Sequence, residues 1–196
     1  IMAYGQDDRI CAFTSLMAFL DAENSQRTNV CLFVDKEEIG SVGATGMQSR
    51  FLENTLAEVL NCLGQYSELA LRRALKNSTM LSADVNAGYD PLYADAFEKN
   101  NAAYVGKGAV ISKYTGSRGK SGSNDASAEF LGSLRRAFDA DDIQYQPAEL
   151  GKIDVGGGGT IAYITAAYGM DVVDLGVPIL NMHAPYEVSS KADVYE

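Results

Sequence analysis

The chain has 196 residues, about the length of one domain. With 46% apolar residues, 21% charged residues and only 4 prolines, it has the composition of a folded chain, not a disordered or fibrous one. Acids outnumber bases 26 to 16, for a net charge of −10, which argues against nucleic acid or an anionic membrane as the main partner. No apolar run approaches the roughly 18 residues of a membrane-spanning helix.

In chain order, residues 8–21 place Ile10, Phe13, Leu16, Met17 and Leu20 at helical spacing. The apolar run 29–34 is expected to form a buried strand. Gly40, Gly43 and Gly46 punctuate a loop. A helix is predicted over about residues 47–63, with Met47, Phe51, Leu52, Leu56, Val59, Leu60 and Leu63 on one face. A shorter helix is predicted over 67–75. Strands are predicted at 78–84 and 109–114, and the glycine- and serine-rich segment 115–125 reads as a loop. Asn124 or Asp125 would cap a helix over 126–139 that turns Phe130, Leu131, Leu134 and Phe138 inward. A strand near 143–146, a tetraglycine (Gly156–Gly159), a helix over 160–168 ending at Gly169, and one or two core strands within 171–180 complete the chain. This alternation predicts an α/β domain, its mixed, mostly parallel sheet flanked by helices. The chain opens on Ile1-Met2 without a signal peptide and stops at Glu196 in what reads as a helix, as a piece of a longer protein would.

Four polar features sit where strands are expected to end: Asp7-Asp8-Arg9, Asp35-Lys36-Glu37-Glu38, Ser82-Ala83-Asp84 and Asn181-Met182-His183. Strand ends in α/β folds let such side chains converge over a sheet edge. Singly, an acidic pair is ordinary solvated surface, and a lone histidine is most often a hydrogen-bonded core or surface residue. Together they form a set of carboxylates and one imidazole without thiolates, which suits zinc, cobalt or manganese. Adjacent residues on an extended segment point in opposite directions. One of Glu37 and Glu38 would then grip a metal while the other serves as general base.

The tetraglycine lacks both the Walker lysine pattern and a spaced G-x-G-x-x-G. It reads either as a tight turn or as an anion cradle at the start of helix 160–168, with Gly157 and Gly158 as substrate-binding candidates. Lys113, Arg118 and Lys120 gather in an otherwise acidic chain, where they would hold a substrate carboxylate or form a solvated loop. Cys11, Cys31 and Cys62 read as core residues. Their odd number, at spacings unlike a zinc finger, points to a reducing compartment.

The ordered motifs QDDRICAF, VDKEEIGSVGATG, LSADVNAGYDP, KYTGSRGKSGSNDASAEF, DVGGGGTIA and GVPILNMHAPYE resemble the aspartyl aminopeptidase family of dinuclear zinc metallopeptidases, nearest its bacterial aminopeptidase 1 branch. The resemblance runs nearly end to end. It implies a zinc-exopeptidase-like catalytic domain, which in the family is interrupted by a dimerisation domain that is absent here. It also implies two divalent metal ions (zinc, with cobalt or manganese as alternatives), peptide substrates cleaved at the N-terminal residue, and a cytoplasmic homo-oligomer, a dodecamer in the full-length protein. By the same resemblance, Asp7 matches the carboxylate bridging the two metals, followed by a cis peptide to Asp8. Glu37 matches the general base, Glu38 and His183 ligands of one metal, and Asp84 a ligand of the other. The family's upstream His-x-Asp motif is missing, and the single histidine is already matched to the last motif. Residues 1–196 are therefore expected to be the C-terminal part of the catalytic domain, truncated at both ends. Glutamyl and tetrahedral aminopeptidases share the general ligand scheme. The alternatives from other classes are a noncatalytic assembly module and a nucleotide-binding domain built on the tetraglycine, the latter without a strand-linked fingerprint.

Overall fold

A computed structural model describes residues 1–23, 25–118 and 120–196. Strand β1 (Met2–Ala3) passes through Gly5, whose φ of 64° suits a glycine, into α1 (Gln6–Asp21). The backbone torsions of Asp7 and Asp8 are not helical, so the regular helix starts only beyond them. Helices α2 (Phe51–Cys62) and α3 (Glu68–Lys76) follow. The Ser67 hydroxyl caps α3 by accepting the Ala70 N–H at 3.0 Å. Strands β2 (Thr79–Ala83), β3 (Asn86–Ala87), β4 (Ala109–Ser112), β5 (Tyr114–Ser117) and β6 (Ser121–Asp125) precede α4 (Ala128–Ala140). The remaining elements are β7 (Tyr145–Pro147), α5 (Ala162–Ala166), β8 (Asp171–Gly176), β9 (Pro178–Leu180), β10 (Glu187–Ser189) and α6 (Lys191–Tyr195).

One sheet has the order β2-β8-β4-β7, in which β2 lies parallel to β8, β8 antiparallel to β4, and β4 parallel to β7. A second four-stranded sheet has the order β1-β10-β9-β3, with only β3 and β9 parallel, and β5 and β6 form a separate two-stranded sheet. The two four-stranded sheets share a seam. The chain runs from β2 into β3 beside its neighbour running from β8 into β9, and the Asn86 N–H reaches the Val177 carbonyl at 2.9 Å. Asp84 sits at this seam. Helix α4 covers the first sheet, packing Phe130, Leu131, Leu134 and Phe138 near Ile111, Ala126 and Val173. Cys11, Val85 and Ile179 form a second core under the seam, with Ala83 and Met182 against it. No described helix is long and apolar enough to cross a membrane.

Several expectations are corrected. Residues 29–34 form no strand, and Val30 and Phe33 are 58% and 53% exposed. A strand exists only through its ladder partners, and none among the described residues reaches this run. Segment 115–125 is not a loop but the greater part of the β5–β6 hairpin. Its small residues lack the apolar–polar alternation that marks a strand. Asn124 and Asp125 belong to β6, and the cap of α4 is Ser127, which accepts the Phe130 N–H at 3.2 Å. Helix α2 begins only at Phe51, and α5 is confined to five residues. Glu37 and Glu38 lie in a 3-10 turn (Glu37–Ile39) instead of on an extended segment. Of the cysteines, all of them free, only Cys11 is buried; Cys62 is exposed.

Gly176 closes the seam. A methyl group there would lie 1.6 Å from the Asp84 carbonyl oxygen, so any side chain pushes the two strands apart. Gly176→Ala is expected to lower stability by at least about 1–3 kcal/mol, the usual cost of overpacking. Urea denaturation midpoints for the two proteins measure this.

Candidate metal centre

Three segments bring carboxylates and the imidazole together. The first is the irregular opening of α1. Here Asp7 and Asp8, joined by a cis peptide, are both half-buried. The second is a tightly wound loop, residues 35–49. The Asp35 N–H donates to Thr45 O (3.0 Å), the Ser41 N–H to Lys36 O (2.7 Å), and the Gln48 N–H to Ser41 O (3.1 Å). These bonds fold the loop around buried Met47 and project Glu37 and Glu38 from one turn. The third is the turn after β9, in which His183 has a φ of 65°. Asp84, at the seam, supplies a fourth group.

His183 Nε2 lies 2.9 Å from Asp7 Oδ2 and 3.1 Å from Glu38 Oε2. One ligand atom from each of these residues lies within 4.8 Å of the other two, and the same holds for Asp7, Asp8 and Asp84. The two groups share Asp7. Burial, then the neighbouring Glu38 and Glu187, push the Asp7 carboxyl up to about 6, against the opposing pull of His183. Burial raises Asp8 to about 7, and burial with Asp8, Glu37 and Asp7 raises Asp84 to about 9. Glu37 is raised by burial, then by Glu38 and Asp7. Asp8 Oδ1 is buried without a hydrogen-bond partner. Oxygen and nitrogen donors, crowded like charges and an orphaned carboxylate oxygen together fit divalent cations.

The basic candidates lie on the β5–β6 hairpin and, for Lys113, just before it. The Lys113 ammonium pairs with Asp125 (2.5 Å) and donates to Ala126 O (2.9 Å). Arg118 and Lys120 are exposed, and Lys120 lies 4.0 Å from Asp154. The tetraglycine runs beside this hairpin. Gly158 O accepts the Gly116 N–H at 2.9 Å and Gly156 O the Arg118 N–H at 2.7 Å. Gly157 lines a cleft of about 240 Å³ together with Tyr114, Asn124, Glu149 and Lys152.

Two residues of the centre escaped the sequence reading. Asp8 was in view as part of the Asp7-Asp8-Arg9 feature and as the partner in the cis peptide, without a ligand role. Glu187 carries its signal in the same GVPILNMHAPYE motif as His183. It is 2% exposed and accepts backbone N–H groups from both the α1 opening and the His183 turn.

Without metal, Asp7, Asp8 and Asp84 hold protons in the folded state at pH values where the unfolded chain has lost them. Their raised values mean that stability is greatest below about pH 4 as far as these groups are concerned, and falls as pH rises through about 6, 7 and 9. Thermal melts in chelator are expected to show the metal-free chain losing stability between pH 5 and pH 9, with zinc abolishing most of the loss. Asp84→Asn is expected to raise the metal-free melting temperature at pH 8 and to weaken zinc binding by about 10–100-fold or more, read by calorimetry.

All 196 residues match the model of the aminopeptidase I zinc metalloprotease (M18) family. The chain is 60% identical over 196 residues to a probable M18 family aminopeptidase 1 of Clostridium acetobutylicum, covering all of this chain and 42% of that protein. It is 47% identical over 197 residues to the Thermotoga maritima counterpart, covering 44% of it. Among solved structures, aminopeptidase I from C. acetobutylicum superposes with a TM-score of 0.89 at 59% identity over 99% of this chain and 41% of that one. The T. maritima M18 aminopeptidase superposes with a TM-score of 0.95 at 47% identity over 100% and 43%. The chain thus spans less than half the length of these relatives. With a carboxylate–imidazole cluster at the seam and a family match along its whole length, the chain belongs to the aminopeptidase I (M18) zinc metalloproteases.

Proposed function

We propose that this chain carries the metal-binding and proton-transfer residues of an aminopeptidase that removes the N-terminal residue of peptides. The observation that supports this most is the meeting of Asp7, Glu38 and His183, from three distant segments, within 3.1 Å of the imidazole nitrogen. In this reading Asp7 would be shared by two divalent ions, Glu38 and His183 would hold one of them, and Asp84, with Asp8 close by, would hold the other. Bound ions, zinc by family description, supply Lewis-acid polarisation and a water of lowered pKa.

Glu37 is the general base. It shares a turn with Glu38, is half-buried, and is raised by burial and by the neighbouring Glu38 and Asp7, the direction that makes a carboxylate a better base. It removes a proton from the attacking water and delivers it to the departing amine.

A finer proposal is a preference for peptides with an acidic first residue. Lys113 is engaged by Asp125 at 2.5 Å, whereas exposed Arg118 and Lys120, the latter 4.0 Å from Asp154, are the more available cations to read such a side chain. The homo-oligomer extends to this chain by likeness. A yeast relative, mApe1 of S. cerevisiae, is described as a dodecamer, and its fold superposes with a TM-score of 0.74. A cytoplasmic location agrees with three free cysteines.

Glu37→Gln is expected to keep its metal, measured by elemental analysis, and to lose about 100–10,000-fold in turnover, the usual worth of a general base. Retained turnover overturns the assignment. Peptides beginning with Asp, Glu, Leu or Lys test specificity. Faster cleavage of the first two, diminished in Arg118→Ala and Lys120→Ala, is the expected result, and equal rates on all four refute the acidic preference.

A further inference from the structure

We propose that Glu187 is a positioning residue whose buried carboxylate clamps together two of the ligand-bearing segments of the metal centre, those of Asp7 and His183. This inference deepens the metal-centre reading and rests on it. Glu187 begins β10, whose neighbours β1 and β9 lead respectively to Asp7 and to His183. Its Oε2 accepts the Gln6 N–H at 2.6 Å and the Asp7 N–H at 3.0 Å. Its Oε1 accepts the His183 N–H at 2.8 Å. One carboxylate thus takes three backbone N–H groups from segments at opposite ends of the chain.

The arrangement is specific to a carboxylate. Three N–H donors converge on two oxygens, which an ionised acid accepts without supplying a proton of its own. An amide of the same shape offers one oxygen and a pair of N–H donors, so in either orientation at least one backbone N–H faces another donor. The clamp also acts where the backbone needs support. His183 has a φ of 65° and Gly5 a φ of 64°, and a non-glycine residue in the left-handed region persists only when its surroundings hold it there. The hydrogen bond from the His183 N–H provides that hold, and with it the imidazole nitrogen stays 2.9 Å from Asp7. Two further bonds lie beside the clamp without touching its carboxylate: Ser189 Oγ donates to Gln6 Oε1 at 2.6 Å, and Gln6 Nε2 donates to Glu187 O.

The test compares cobalt(II) binding to the wild-type protein, Glu187→Gln and Ser189→Ala, read by affinity and by the d–d absorption spectrum. Glu187→Gln is expected to bind cobalt about 10–100-fold more weakly, the range for partners behind metal ligands, with an altered spectrum and an unchanged far-ultraviolet circular dichroism. Ser189→Ala loosens the same sheet without touching the carboxylate, and is expected to keep both affinity and spectrum. Cobalt bound by Glu187→Gln with wild-type affinity and spectrum overturns the clamp and leaves the metal centre standing. A wild-type protein that binds no cobalt overturns both. Should Glu187→Gln fail to fold, amide hydrogen exchange in the wild-type protein decides. Slow exchange at Gln6, Asp7 and His183 supports the clamp, and rapid exchange at Asp7 or His183 refutes it.

Discussion

Like charges gathered at one seam are the constraint around which this molecule is organised. Asp7, Asp8, Glu38 and Asp84 approach closely enough that burial and mutual repulsion raise Asp7, Asp8 and Asp84 to about 6, 7 and 9. A fold selected only for stability would disperse them, because partly buried carboxylates without a compensating cation work against the native state. That the chain assembles them argues that a divalent ion completes the structure. The family match to zinc metalloproteases supplies the independent reason.

The surrounding fold exists to hold these groups in place. At the seam, Gly176 lets the β8 backbone pass close by Asp84. Beneath it, Cys11, Val85 and Ile179 form a small buried apolar core. The loop of residues 35–49 is wound by its own backbone hydrogen bonds, which spares Glu37 and Glu38 any dependence on a regular element. Glu187 joins the first and last segments. The centre is therefore built from turns and strand ends, and the helices pack behind it. Regular elements satisfy their backbone groups internally, whereas turns leave N–H groups and side chains free for other partners.

Much of this was legible beforehand, and the failures have physical causes. Helices α1 and α4 announced themselves by apolar spacing, and β8 and β9 by the apolar run 171–180, because each element's pattern is local. Asp7, Glu38, Asp84 and His183 stood out as polar groups at expected strand ends, and the resemblance to ordered motifs assigned their roles; their convergence is seen only in the fold, since no local rule brings residues so distant in sequence to one point. The run 29–34 has the composition of a strand, but composition cannot supply a ladder partner. The β5–β6 hairpin was hidden for the opposite reason: Ser121-Gly122-Ser123 carries no hydrophobic signal, and pairing alone makes it a strand. Glu187 was invisible as an acid because its importance lies in accepting backbone N–H groups, a role with no compositional mark.

The central claim is that the seam is a metal centre, and anomalous X-ray scattering at the zinc edge from a zinc-soaked crystal tests it most directly. The account predicts one peak bounded by Asp7, Glu38 and His183 and a second bounded by Asp7, Asp8 and Asp84. A map with no anomalous density between these side chains, in a crystal that holds zinc elsewhere or not at all, would contradict it.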